Sequence, residues 1–144
     1  KLYKLYKLYK LYKLYKLYKL YKLYKLKLME HYFEELPIAI TVTDLDGTIL
    51  DLNQRSVQVN VREGGKEALI GRNVLDCHPE PARTKLQGQL AAPTPNAYTI
   101  EKNGVKKLIY QTPWYQNGQF AGVMELSMEI PFDMPHYIRK PKAN

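Results

Sequence analysis

Cys77 and His78 stand side by side, with Pro79 and Pro81 close behind. Thiolate and imidazole are both iron ligands, which makes Cys77 and His78 candidate haem ligands. The structural alternative makes Cys77 a small buried hydrophobe and His78 a ring bonded to backbone in a turn. Nucleophilic catalysis would require His78 to activate Cys77, but chain neighbours rarely face each other productively. His31 and His136 are distant in sequence, and there is no His-x-x-x-His or Cys-x-x-Cys pair, so no metal site is expected. No glycine-rich phosphate loop, kinase motif or cyclase motif occurs, and Gly64-Gly65 reads as an ordinary loop. No catalytic residue is assigned, and the chain is not expected to be an enzyme.

Composition narrows the classes further. The 144 residues carry 22 Lys and Arg against 14 Asp and Glu, a net charge of +8. The excess lies in residues 1–28, which are only Lys, Leu and Tyr, with 10 lysines and no acid. The other 116 residues hold 12 basic and 14 acidic side chains, net −2, so the globular part is not expected to bind nucleic acid. One cysteine excludes an internal disulfide and fits a reducing, cytoplasmic setting. No apolar run reaches the roughly 18 residues of a transmembrane span, and no signal peptide is recognisable.

The Lys-Leu-Tyr unit of residues 1–28 recurs every three residues. On a helix, each unit shifts the lysine stripe backwards by about 60°, and on a strand lysines fall on both faces. Neither geometry keeps a fixed apolar face. The repeat reads as a non-native or tag-like extension, and Met29 as the original start. A cationic aromatic segment for anionic membrane or nucleic acid is the alternative, but it lacks the positional order such a helix needs.

Residues 29–36 read as a lead-in helix ended by Pro37, 37–131 as one domain and 132–144 as a tail. Ile38, Ile40 and Val42 alternate with Ala39, Thr41 and Thr43, a strand pattern, and Asp46-Gly47 turns the chain into a return strand at 49–53. Asn103-Gly104 and Asn117-Gly118 separate three further strands, 97–102, 105–115 and 119–130. Between them, 65–71 reads as a helical turn closed by Gly71. Asp76 reads as the cap of a longer helix, with Ala82, Leu86 and Leu90 as its apolar stripe. Val57, Val59 and Val61 alternate as in a strand, against the helical pattern around them. The whole is α+β: an antiparallel sheet with one buried face.

This order of elements resembles a PAS domain. Ile38 to Gly47 resembles its first strand and hairpin turn, and Ile49 to Asn53 its second strand with the habitual terminal Asn. Lys66 to Arg72 resembles the segment before its long helix, and Gly118 to Ile130 its last strand. The resemblance implies a five-stranded sheet of order 2-1-5-4-3, with short helices on one face over a small pocket. It also implies ligand sensing or dimerisation. Gly71-Arg72-Asn73 is similar to the start of the Gly-Arg-Asn-Cys motif of light-oxygen-voltage flavin proteins. Val74 stands where the reactive cysteine belongs, so adduct chemistry is not expected and non-covalent flavin stays open.

Apolar strand residues are expected to meet the helices. The pocket candidates are therefore Asn53, His78, Tyr98, Tyr110, Trp114, Met124 and Leu126, among core residues such as Ile100 and Leu108. Tyr32, Phe33 and Leu36 form the dimer candidate on the lead-in helix. The expectation is a cytoplasmic, homodimeric sensory module that takes a small-molecule ligand and signals through a partner protein; its cofactor is unknown, with none favoured over haem or non-covalent flavin. A closed-core interaction module and a haem-dependent gas or redox sensor are the alternatives.

Overall fold

In the computed structural model, residues 1–60 and 64–141 are described, without the side chains of 26–31. The chain forms two compact units, Lys1–Leu36 and Pro37–Asn144.

The first unit is one helix, α1, Leu2–Glu34. It runs unbroken through the repeat and the stretch expected to be a separate lead-in, and Leu36 lies beyond its end. Its order is local. From Lys7 to Lys25, each lysine ammonium stands over the ring of the tyrosine four residues earlier, at 5.0 Å for Lys7 on Tyr3. Such i,i+4 contacts support a helix from its own surface. Every side chain from Lys1 to Lys25 is exposed, as a stripe that winds around the axis requires.

The second unit is built on a five-stranded antiparallel sheet in the order β2-β1-β5-β4-β3. Its strands are β1 (Ala39–Thr43), β2 (Ile49–Leu52), β3 (Asn96–Lys102), β4 (Val105–Gln116) and β5 (Gln119–Glu129). Helices α2 (Gln54–Val59) and α3 (Ala82–Ala91) and a 3-10 turn (Val74–Cys77) lie between β2 and β3. Asn103-Gly104 and Asn117-Gly118 take positive φ throughout, at 55° and 74° and at 50° and 77°. That is the geometry of a two-residue hairpin turn, and Asn and Gly are the residues that tolerate it. The β1–β2 connection is held by Asp44, whose carboxylate accepts the N–H groups of Asp46 and Thr48.

Three local expectations are corrected. Val57 and Val59 belong to α2, not to a strand, because Asn53 caps that helix by accepting the Ser56 N–H, while Val61 lies outside the described residues. Asp76 caps nothing and sits within the 3-10 turn, which Asn73 caps through Leu75 N–H. Helix α3 starts only at Ala82, where the Glu80 carboxylate accepts the Thr84 N–H and hydroxyl. The third concerns the faces of the sheet. Ile109, Gln111, Val123 and Glu125 point towards the helices, whereas Leu108, Tyr110, Met124 and Leu126 share the opposite face. Tyr98 and Ile100 do lie on the helix side.

The core on that side has two clusters, Ile49, Leu52 and Leu69, and Leu86, Leu90 and Val123. Half-buried Val74 packs against both. Close approach is tightest at Gly122, where an added Cβ would overlap the Thr43 carbonyl that accepts the Trp114 indole N–H at 2.8 Å. Gly122→Ala is expected to cost about 3 kcal/mol, at the severe end of overpacking, with a shifted Trp114 emission spectrum, as urea unfolding will measure. Deleting residues 1–28 should remove helical ellipticity but leave the cooperative melting transition of the second unit in place.

Candidate functional site

Between the inner sheet face and the segments that follow β2 lies a cavity of about 280 Å³. Ile49, Leu52, Leu69, Val74, Leu86 and Val123 form its apolar walls, and Thr41, Thr43, His78 and Glu125 are its polar groups, with Asn60 and Cys77 also lining it. One wall is positioned by the chain after Gly71. Ile49 N–H donates to Arg72 C=O at 2.8 Å and Val74 N–H to Gly47 C=O at 2.9 Å, so this stretch runs along the hairpin. Asn73 fastens the same contact, donating through Nδ2 to Asp46 C=O. Gly71-Arg72-Asn73 therefore docks the 3-10 turn and carries His78 to the cavity.

The polar end is an ordered rung across the sheet. Asn96 faces Gln111, Gln111 faces Glu125, and Glu125 faces Thr41, on four adjacent strands. Asn96 Nδ2 donates to Gln111 Oε1 at 3.0 Å, and Gln111 Nε2 donates to Glu125 Oε2 at 2.7 Å. His78 Nε2 approaches the same Oε2 at 3.9 Å, an ion-pair distance rather than a closed hydrogen bond. Its Nδ1–H donates to Val74 C=O at 2.7 Å. Glu125 as acceptor holds His78 above its ordinary value of 6.5; burial works against this, and the Val74 carbonyl and the Glu125 charge reinforce it. Burial first, and then the Glu125 charge, push the Tyr98 hydroxyl above the ordinary tyrosine value.

Of the residues expected to form the pocket, His78 lines this cavity, together with Cys77, which is exposed. Tyr98 lines a second hollow of about 470 Å³ on the same sheet face, which shares Thr41, Asn60 and Glu125 with the first. Tyr110, Met124 and Leu126 lie on the opposite face, and Trp114 shares their parity on β4. Asn53 is fully buried outside the cavity. Its Oδ1 accepts Ile40 N–H and Ser56 N–H, and its Nδ2 donates to Ile38 C=O. Tyr32, Phe33 and Leu36 belong to the first unit, and Leu36 stands outside the helix that was to unite them.

Glu125, Gln111, Thr41 and Thr43 were not singled out from sequence. Glu125 lies between the pocket candidates Met124 and Leu126, so simple alternation sets it on the other face, and the signal that could have found the rung was hairpin register. The two-residue turn at Asn103-Gly104 pairs Lys102 with Val105 and therefore Asn96 with Gln111.

His78 Nδ1–H is held by Val74 C=O and Nε2 faces the Glu125 carboxylate at 3.9 Å, so an iron at Nε2 would compete with Glu125 for the imidazole. The cavity lies just below the usual volume range of drug-sized ligand sites. Among the described residues, no group of three or more His, Cys, Asp or Glu could hold a metal ion, and no helix is long and apolar enough to cross a membrane.

Residues 33–101 match the family model of the PAS fold. The PAS domain of an HTR-like protein from Haloarcula marismortui superposes with a TM-score of 0.58 at 20% identity, covering 80% of this chain and 99% of that one. A PAS domain from Colwellia psychrerythraea gives 0.54 at 26%, covering 73% and 96%. A sensory box sensor histidine kinase from Vibrio cholerae gives 0.53 at 16%, covering 79% and 98%. No curated protein matches the chain. The chain carries a PAS domain. Such domains are typical modules of sensory signal transduction and are generally non-catalytic.

The His78–Glu125 pair sets a pH dependence. A folded-state pKa above that of the unfolded chain means that the pair stabilises the fold fully below about pH 6.5 and loses its effect as pH rises through the folded value. The stability difference between the parent and His78→Gln should therefore be largest in mild acid and fade at alkaline pH. In an NMR titration, Glu125→Gln should lower the His78 midpoint.

Proposed function

We propose that this PAS domain is a sensor whose inner cavity takes a small molecule. The observation that supports this best is the cavity itself: apolar walls with one fixed polar cluster at the end, the usual composition of a ligand site. Native mass spectrometry of the purified chain should show a bound small molecule, and Leu86→Trp, which fills the cavity, should remove it. A ligand-free chain that Leu86→Trp stabilises would favour the closed-core interaction module.

The domain works as a homodimer in this reading, with output passing to a partner protein. Its outer sheet face supports that assignment. Ile40, Leu126 and Tyr110 are cross-strand neighbours on one rung, Val42 and Met124 on the next, and Leu108 and Met128 on another. Tyr110 is 39% exposed and Leu126 half-buried. Tyr32 and Phe33 are proposed as a second contact patch. Light scattering should give twice the 16.8 kDa chain mass, falling towards one chain mass in Tyr110→Glu with circular dichroism unchanged. A monomer at high micromolar concentration would overturn the dimer.

A further inference from the structure

The rung that ends at Glu125 has a direction. Asn96 donates to Gln111, and Gln111 donates to Glu125, so each amide is oriented by its neighbour and the carboxylate is the terminal acceptor. Gln111 is only 3% exposed, which leaves its amide no solvent alternative and fixes its N–H on the carboxylate. An ionised carboxylate offers about four lone-pair sites. Gln111 uses one on Oε2, where His78 also approaches, and Oε1 takes part in neither contact. Glu125 is partly exposed, at 32% of its side chain, and it lines both hollows on the inner face. The carboxylate is thus pre-oriented at the junction of the two hollows with acceptor capacity remaining.

The rest of the cavity lining bears on which ligands it would accept. Among the described residues it contains no Lys or Arg, and the one histidine on it, His78, already faces Glu125. A carboxylate or phosphate ligand in this cavity would meet Glu125 with no lysine or arginine among the described lining residues to offset the repulsion, since Lys102 and Lys107 line only the adjoining hollow. Thr43 directs its hydroxyl to Val123 C=O, and Thr41 shares a hydrogen bond with Ser56 at 2.6 Å, so neither hydroxyl competes for Glu125.

We infer that the cavity selects a small, mainly apolar molecule that presents paired N–H donors, such as an amidine, a guanidine or an amino-substituted heterocycle, to Glu125. This rests on the proposal that the cavity binds a ligand. A donor pair can span both carboxylate oxygens, the arrangement that makes such contacts strong and directional. The volume of about 280 Å³ suits one substituted ring.

Three probes of one size separate the outcomes: benzamidine, benzoate and benzyl alcohol, titrated into the full chain with the amide signals of Val123 and Leu86 followed by NMR. Benzamidine should bind at least tenfold tighter than the other two. Glu125→Gln should remove at least tenfold of that affinity, whereas His78→Gln, which takes away the imidazole that approaches the same oxygen, should tighten benzamidine about threefold. A misfolded variant cannot produce that opposite pair of signs. Binding of benzyl alcohol as tight as that of benzamidine, or unchanged benzamidine affinity in Glu125→Gln, would overturn the donor assignment while leaving the cavity reading intact. Tighter benzoate than benzamidine would reverse the assignment. Failure of all three probes would overturn both readings together.

Discussion

One buried amide holds the second unit together. Asn53 has no exposed surface, yet its side chain closes three hydrogen bonds to backbone, with Ile40 N–H, Ser56 N–H and Ile38 C=O. Its own N–H donates to Ile40 C=O, so backbone and side chain together join the end of β2 to β1. The same oxygen that caps α2 therefore sets where that helix leaves the sheet. From there Ser56 reaches Thr41 at 2.6 Å, and Thr41 flanks Glu125 on the inner face. An apolar residue at position 53 would leave three backbone groups without these partners, a penalty spread over two strands and a helix.

The inner face itself depends on a bulge. Tyr115 pairs with Phe120 but Trp114 pairs with Gly122, so Ala121 is the extra residue on β5. Without it, the Asn117-Gly118 turn would place Gln111 opposite Met124, and the polar rung would break into two mismatched halves. With it, Gln111 meets Glu125 and the carboxylate is held by a donor on the neighbouring strand. Gly122, beside the bulge, lets the Thr43 backbone come close enough to accept the Trp114 indole. A single inserted residue thus determines which chemistry the cavity presents.

This explains how much could be read from the residues alone. Asn-Gly pairs report positive φ directly, so both late hairpins and the strand count were legible, and the order of motifs carried the sheet topology. The bulge left no comparable signal. Met124, Leu126 and Tyr110 have the composition of a buried face, and only the shifted register shows that they lie opposite the helices. Glu125 was hidden for the complementary reason, since a carboxylate between two apolar residues looks like a solvated position until its partners on other strands are known. Asn53 was legible as a special position but not in its role, because a buried Asn suits a ligand or a backbone equally well until the distances decide. Val57 and Val59 misled through local alternation, which a capping residue one turn earlier overrode.

Helix α1 has a consequence for mechanics. At 1.5 Å per residue its 33 residues extend about 50 Å. Helices that pair along their length do so through a lengthwise seam of side chains, which locks each at one angle about its own axis. The Lys-Leu-Tyr stripes wind around α1 instead of running along it, so the repeat presents the same mixture of ammonium, aromatic and aliphatic groups from every side. Turning the repeat segment about its axis alters nothing that a neighbour would feel, so the repeat carries no rotational register.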